Sequence, residues 1–595
     1  MNRLLVIGGA SLDVLHLRDR TVNSPGGAGM YTAMAGRRCG AQVTLFAPRP
    51  DPYPESLLPI ARHLADWLGP VVSPEELPHF EISYRGIETE YLRFSFGAET
   101  GLSPAMLPAD LSQFDLVHLI PLGDAARQLS FVEACRQRGA KRISAGTGLT
   151  IAAERPQAVR AILEQVDYFF MNDQEATIVF GSLESAGARP GQILFVTLGA
   201  QGARIVQGDT TTSIPAVPSA ELDPTGAGDT FCGATLAYLL QGDQPIMAAR
   251  RAASLAAEMI TQVGPTALLS DDPPPGAPLD PRVRIDAGQV RKVAEMISTI
   301  PEVSPFSFVS PQFPPVGHPR ALDYFFATTA QQFSFWREDD GRYDQPLWAT
   351  AGGVLWKGSD YLWDAFRRQI MKDQEFCSPE RQANLTYEDL QAVFRADDGH
   401  DPMPVPELHL AQARQYGRDM LALGLTPRAL LQEALASDQP LLTFLSMLDH
   451  ISGYKEDPLR KKSGLLALIL NQRPELFLPL RSDEQVAPVI DYHLMRSCLR
   501  VGLVEISDEQ LKDKVSNRQI VSPAEEWAIR YAAYRAIEQV VSLSGMDLGA
   551  VDWFFFGARK RCPEMTEPEC PLCPLDPICA HRKELFQPVL RTTFY

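Results

Sequence analysis

The stretch SDDPPPGAPLDP, residues 270–281, constrains this chain more than any other. Its prolines fix φ and remove backbone donors, so neither a helix interior nor a central strand can run through it. It reads as a linker over residues 271–284, dividing the 595 residues into parts of different texture. A chain of this length exceeds one ordinary core, and two or three domains are expected. Before the linker, short β-rich runs (LLVIGG, QVTLFA, LVHLIP, VDYFFMN, ILFVTLG) alternate with amphipathic segments such as SFVEACRQRGA. That alternation predicts a mostly parallel sheet covered by helices. After it, long helical patterns take over, as in EDLQAVF, HLAQARQYGRDMLALG and EEWAIRYAAYRAIEQVVSL, and strand signals are nearly absent. No internal repeat is visible.

Composition narrows the function classes. At 45% hydrophobic and 22% charged residues the chain is globular rather than disordered. A formal net charge of −18 argues against a protein whose main task is gripping a phosphate backbone. A local basic groove can sit within an acidic total, so DNA stays an alternative partner. The opening MNRLLVIGGASLDV reads as a first strand entering a glycine turn rather than a leader. No run of apolar residues is long enough to span a membrane. Nine cysteines, five of them scattered, make no disulfide framework, and a cytoplasmic setting is expected. The sequence does not specify an oligomeric state.

In the first part, DPTGAGDTF at 223–231 is the sharpest motif. Gly226 and Gly228 around Ala227 let consecutive N–H groups converge, and a helix starting there adds its positive end. Such a cradle neutralises a phosphoryl group, and Asp229 beside it can take a proton from an attacking hydroxyl. Alone, the motif would equally be a glycine turn with an aspartate cap. It is accompanied by GGASLD with Asp13, PGGAGMYTAMAGRRCGA with Gly26 and Gly27, MNDQEA with Asn172 and Glu175, and VTLGAQGA with Gly199 and Gly202. In this order the motifs resemble the PfkB/ribokinase family of sugar and nucleoside kinases across residues 1–270. The resemblance implies an α/β ribokinase-like domain, a parallel sheet with helices on both faces and a small β lid formed by HFEISYRGIETEYLRFSF. It implies ATP and Mg²⁺ as cofactors, Asp13 and Gly26–Gly27 at the sugar, and Asn172 and Glu175 near the metal and phosphates. Gly199 and Gly202 fall to the nucleotide, Gly226–Gly228 to the anion hole, and Asp229 to the catalytic base. The family usually has Asn shortly after its di-glycine; this chain has Tyr31, which alters that substrate contact.

Four cysteines, Cys562, Cys570, Cys573 and Cys579, close the second part with spacing C-x7-C-x2-C-x5-C. Four thiolates so close suit a tetrahedral zinc or a [4Fe–4S] cluster, and the interleaved prolines make a stiff loop. The spacing resembles the iron–sulfur loop of endonuclease III-type DNA glycosylases, C-x6-C-x2-C-x5-C, with one residue more in the first gap. That implies an all-α glycosylase-like domain over residues 285–595 with a cluster loop at 562–579. Asp491 in PVIDYHLMRSCLRVGLVEI is the catalytic carboxylate by the same resemblance, or a helix N-cap by its residue type. The DNA-gripping glycine hairpin of those enzymes has no counterpart between about residues 440 and 490.

Over roughly residues 290–560 the chain also resembles the queuosine salvage proteins, which hydrolyse queuosine 5′-phosphate to queuine. QFSFW, the MPVPELH region, YKEDPLRKKSGLLALIL and IDYHLMRSCLRVGLVEI carry that likeness. It implies Asp491 as the hydrolytic carboxylate, with Phe333, Phe335 and Trp336 at the base pocket and Glu407 of the MPVPELH region among the substrate-binding residues. Tyr454, Lys455, Lys461 and Lys462 either contact phosphate or form a solvated helix face. Together the halves predict 5′-phosphorylation of a nucleoside followed by release of its base, with a nucleoside or nucleotide as small-molecule partner. The alternatives are a sugar kinase fused to a DNA repair glycosylase, and a kinase carrying a non-catalytic nucleotide-binding module.

Overall fold

The computed structural model describes residues 2–17, 20–85, 88–301 and 303–595. They divide into two units, Met1–Pro278 and Leu279–Tyr595.

A nine-stranded sheet organises the first unit. From edge to edge its strands are Thr210–Ile214, Ala203–Gln207, Ile193–Thr197, Tyr168–Asn172, Ile143–Gly146, Leu116–Leu119, Arg3–Ile7, Gln42–Phe46 and Asp66–Leu68. Every pairing is parallel from Ile193–Thr197 to Asp66–Leu68, and the two strands at the other edge are antiparallel. The five predicted apolar runs all lie in this sheet. Ile143–Gly146 (ISAG) was not singled out, because two of its residues are too small to give a strand signal. Central strands are buried on both faces, and Leu4, Leu5, Val6 and Ile7 have no exposed surface. A second, four-stranded sheet orders Thr21–Gly26, Ser11–His16, His79–Arg85 and Glu88–Ser95. The last two strands are the predicted lid; its residues 86 and 87 lie outside the described residues.

The proline-rich stretch starts out tied to this unit. Arg37 donates to the Ser270 carbonyl at 3.1 Å and Arg38 to the Pro273 carbonyl at 3.4 Å. There the arginines of the Ala28–Arg38 helix satisfy its carbonyls.

The second unit is mainly helical, and the three long patterns form helices Tyr387–Phe394, Pro406–Ala422 and Pro523–Ser544. Strands are present as well, against expectation. Trp336–Asp339 pairs with Arg342–Pro346, Trp348–Ala351 with Val354–Lys357, and Val283–Ile285 with Val504–Ile506. Each is three to five residues long, too short for period-two alternation to register. A buried bidentate ion pair ties segments of this unit together. Arg530, with no exposed surface, donates to both oxygens of Asp457 at 2.9 and 2.7 Å. Arg530 also donates to the Ile490 carbonyl at 3.2 Å, and Asp457 accepts the Lys461 N–H at 2.7 Å. One ion pair therefore orients both Lys461 and the residue preceding Asp491.

Candidate active sites

In the first unit the glycine turn opens the helix Ala227–Leu240. Gly226 takes the N-cap position at φ 77° without a side-chain cap, so no side chain competes for the helix N-terminus. A Cβ there would lie 2.4 Å from the Tyr31 ring. Tyr31 is 1% exposed, so it supports the turn from beneath rather than presenting an aromatic face to substrate. A Cβ on Gly228 would meet nothing within 4 Å, which leaves that side of the cradle open. Asp223 anchors the loop by accepting from Thr225 N–H at 3.0 Å and Gly264 N–H at 2.8 Å.

Burial pushes the Asp229 carboxyl up to about 6. Glu175 rises to about 7 through burial, with Asp229 adding to it, so the two acids share one electrostatic neighbourhood. Asn172 and Glu175 form a reciprocal capping box: Glu175 N–H donates to Asn172 Oδ1 at 2.8 Å, and Asn172 N–H to Glu175 Oε2 at 2.9 Å. Gly199, Gly202, Ala227 and Gly228 line one apolar cleft with Phe231, whereas Asn172 and Glu175 lie outside its lining.

Asp13 sits on the strand Ser11–His16, accepts the Phe80 N–H at 3.2 Å, and is raised to about 6 by burial. A Cβ on Gly26 would fall 1.8 Å from Asp13 Oδ2, so only glycine leaves that carboxylate its place. Gly27 begins the helix Ala28–Arg38 at φ 94°. Glu99 was missed by sequence reasoning: it is 4% exposed, raised to about 7 by burial, and accepts from Gly9 N–H. A lone acid in a 3₁₀ turn gives no sequence signal for such a contact.

In the second unit one cavity collects Asp491, Asp552, Lys461, His493, Phe335 and Trp553. Asp491 is both an N-cap and a cavity residue. Its Oδ1 accepts His493 N–H at 2.8 Å and Leu494 N–H at 3.0 Å, opening the helix Tyr492–Val501. Asp552, on the helix Leu548–Ala558, is raised to about 8, first by burial and then by Asp491. Its Oδ1 is buried without a hydrogen-bond partner. Burial lowers the Lys461 ammonium, while Asp491 and Asp552 oppose that shift. Phe306 and Trp553 stack at the wall, with centroids 4.0 Å apart and planes 10° off parallel.

Several predicted residues lie elsewhere. Phe333 packs on His409 with centroids 4.3 Å apart, because both are fully buried. Trp336 belongs to a separate cluster with Tyr343, Phe586 and Val589. Glu407 is exposed in the first turn of its helix. The run Tyr454, Lys455, Lys461 and Lys462 is no solvated face, since all four are buried. Tyr454 donates its hydroxyl to the Phe326 carbonyl, Lys455 pairs with Asp419 at 2.9 Å, and Lys462 donates to the Ala330 carbonyl at 2.8 Å. Of the four, Lys461 alone lines the cavity.

The four cysteines occupy a loop with two 3₁₀ turns, Cys570–Leu572 and Asp576–Ile578, and all four are half-buried. Cys573 and Cys579 are raised by burial, and each is raised further by the other thiols. Among the described residues, the group of three or more candidate ligands lying within 4.8 Å of one another is Cys570, Asp576 and His581. No three of the cysteine thiols meet that distance. The mutual influence of the thiols puts the four sulfurs in one neighbourhood, a donor set that either a zinc ion or an iron–sulfur cluster would accept.

Comparison with known proteins follows this division. The model of the pfkB family of carbohydrate kinases matches residues 99–272, which include Asn172, Glu175 and the 226–229 turn. The queuosine salvage protein model matches residues 313–462, which include Lys461; Asp491 and Asp552 lie beyond its last matched residue. The chain is 26% identical to a cytidine kinase of Thermococcus kodakarensis over 254 residues, 40% of this chain and 89% of that protein. It is 28% identical to a ribokinase of Bacillus subtilis over 279 residues, 44% of this chain and 92% of that protein. A nucleoside kinase structure from Methanocaldococcus jannaschii matches 44% of this chain and 93% of its own at 20% identity, with a TM-score of 0.38. The chain thus joins a ribokinase-like domain of the pfkB carbohydrate kinase family to a domain of the queuosine salvage protein family.

Proposed function

We propose that the chain phosphorylates the 5′-hydroxyl of a nucleoside, queuosine by the family of its second domain, and then hydrolyses the N-glycosidic bond of the product. The observation that carries the second step is the pair Asp491 and Asp552 in one aromatic-walled cavity with Lys461.

In the first unit, Asp13 and Gly26–Gly27 hold the sugar. Asp229, raised to about 6, is matched to work as a general base near neutral pH. It takes the hydroxyl proton as the oxygen attacks the γ-phosphorus of ATP. The bond to the β,γ-bridging oxygen breaks with ADP leaving, and the N-terminus at Gly226–Gly228 receives the phosphoryl charge. Glu175 and Asp229 repel each other, so a magnesium ion bound beside them would relieve that repulsion and screen the phosphates.

In the second unit, Asp552 with its carboxyl raised to about 8 is neutral at pH 7 and donates a proton to the departing base. Asp491 takes a proton from the attacking water and faces the positive charge that builds on the ribose ring. Water oxygen bonds to C1′, the base leaves protonated, and ribose 5-phosphate remains. Lys461 supplies a buried cation for the 5′-phosphate. The four cysteines hold a [4Fe–4S] cluster, with zinc as the alternative. The test supplies queuosine 5′-phosphate without ATP. Wild type and Asp229→Ala release queuine and Asp491→Asn does not; equal release by all three would contradict the assignment.

A further inference from the structure

The helix Tyr492–Val501 reaches from the proposed active site to the cysteine loop. Asp491 caps its start, and His493, which lines the cavity, follows within the first turn. Arg496 comes three residues later and donates to His493 Nδ1 at 3.1 Å and to Gln587 at 2.8 Å. Arg500, one turn further on, reaches the loop. It donates to Cys562 Sγ at 3.3 Å and to the carbonyls of Pro563 at 2.8 Å and Glu564 at 3.4 Å. In return Cys579 Sγ meets the Arg500 carbonyl at 3.6 Å. Two of the four cysteines are therefore docked on the residue that ends this helix face.

Glu564, two residues after the first cysteine, turns inward. Its side chain is 2% exposed and pairs with Lys357 at 2.7 Å. It also faces His493 Nδ1 at 3.4 Å and Arg496 at 3.6 Å. Arg496, itself 1% exposed, needs a compensating charge, and Glu564 supplies it. No regular helix or strand holds the backbone between Cys562 and Cys570. The geometry of Glu564 therefore depends on what fixes the loop: the Arg500 contacts to the Pro563 and Glu564 carbonyls, and whatever the thiols of Cys562, Cys570, Cys573 and Cys579 hold.

We propose that the inorganic centre held by the four cysteines sets the salvage cavity, with Glu564 as the positioning residue that transmits its presence to His493 and Arg496. This rests on the proposed hydrolase reading for its catalytic consequence, though not for its structural one. With the centre in place Glu564 is locked between Lys357 and Arg496, and the first turn of the Asp491 helix is held. Once the centre is lost, Glu564 is released and the cavity loses its fixed wall. The site in the first unit shares no residue with this path and keeps its activity.

The experiment uses the full chain, purified anaerobically, before and after treatment with an iron chelator and oxidant. Iron and acid-labile sulfide in equal amounts, with cluster absorption, are expected before treatment; zinc without sulfide would overturn the assignment of the centre. Hydrogen exchange of residues 492–501 is then compared between the two forms. At least a tenfold rise in exchange after stripping, with ATP-dependent nucleoside phosphorylation unchanged, is the expected result. Unchanged exchange in that helix would overturn the coupling, whether or not any nucleotide is hydrolysed.

Glu564→Gln keeps all four cysteines and guards against simple unfolding of the stripped protein. It should retain iron and sulfide, exchange faster over residues 492–501, and hydrolyse nucleoside 5′-phosphate with a raised KM. Glu564→Asp should recover part of that loss. A Glu564→Gln protein matching wild type in exchange and KM would overturn the role given to Glu564. If no form of the protein hydrolyses a nucleoside 5′-phosphate, the hydrolase reading fails, while the exchange data still decide the coupling.

Discussion

The two sites are built in opposite ways. In the first unit the turn comes from one contiguous segment, Asp223 to Phe231, in which Gly226 is required by its φ of 77° and by the Tyr31 ring, while Gly228 faces open space. In the second unit the cavity is assembled from side chains as far apart in sequence as Phe306 and Tyr595, none of which forms a motif alone. A phosphate cradle must expose backbone N–H groups, so it leaves a local signature. A pocket for an uncharged ring needs only apolar walls and a few placed acids, which any helical core can supply.

That contrast predicts unequal sensitivity. The largest effect is expected for Asp229→Ala. Loss of a general base should cost about 10²–10⁴-fold in phosphorylation rate. Hydrolysis of a supplied 5′-monophosphate should be unaffected, as steady-state assays of each step would show. Gly226→Ala comes next. Its Cβ would press on the Tyr31 ring and its φ of 77° disfavours a side chain, a backbone strain of about 1–3 kcal/mol. The account expects at least a tenfold loss of phosphorylation and a lower Tm for the first unit. Adding Tyr31→Ala should restore part of the Tm.

Asp552→Asn tests the second site through pH. A carboxyl raised to about 8 in the folded protein contributes stability that is present in full below its unfolded pKa near 4 and is lost as pH rises through 8. Wild type should therefore lose stability across that window relative to Asp552→Asn. Its hydrolysis should also fall as pH rises through about 8, a limb that is absent from the slower variant. The smallest effect is expected for Glu407→Gln, which alters an exposed side chain outside the cavity. Hydrolysis within about twofold of wild type is the expected outcome, and a large loss would show that the cavity has been drawn too small.

The same contrast explains what was legible in the sequence. The apolar runs and glycine motifs of the first unit pointed to its sheet and its turn. Tyr31 was misjudged, because its partner Gly226 lies 195 residues away and only the fold brings them together. In the second unit Asp491 could be read as a cap or as a catalytic carboxylate, and in the structure it caps the helix Tyr492–Val501 and lines the cavity. Asp552 carries no local signal: it is a lone acid beside the apolar run WFFF on the helix Leu548–Ala558. Of Phe333, Phe335 and Trp336, only Phe335 reaches the cavity. The turn after the helix Ala321–Ala330 and the strand beginning at Trp336 send the other two into the core and a side cluster. Lysines 455, 461 and 462 could be read as phosphate contacts or as a solvated face, since charge runs are usually surface. Here Asp419 pairs with Lys455, the Ala330 carbonyl accepts from Lys462, and Asp491, Asp552 and Asp457 oppose the charge of Lys461 in the interior.

The central claim is that the two sites act in order on one nucleoside. The direct measurement is chromatography of queuosine incubated with the full chain, with and without magnesium ATP, alongside Asp229→Ala and Asp491→Asn. The account predicts queuine only when ATP is present, queuosine 5′-phosphate accumulating with Asp491→Asn, and unchanged queuosine with Asp229→Ala. Queuine released without ATP, or queuosine left intact by the wild-type chain with ATP, would contradict it.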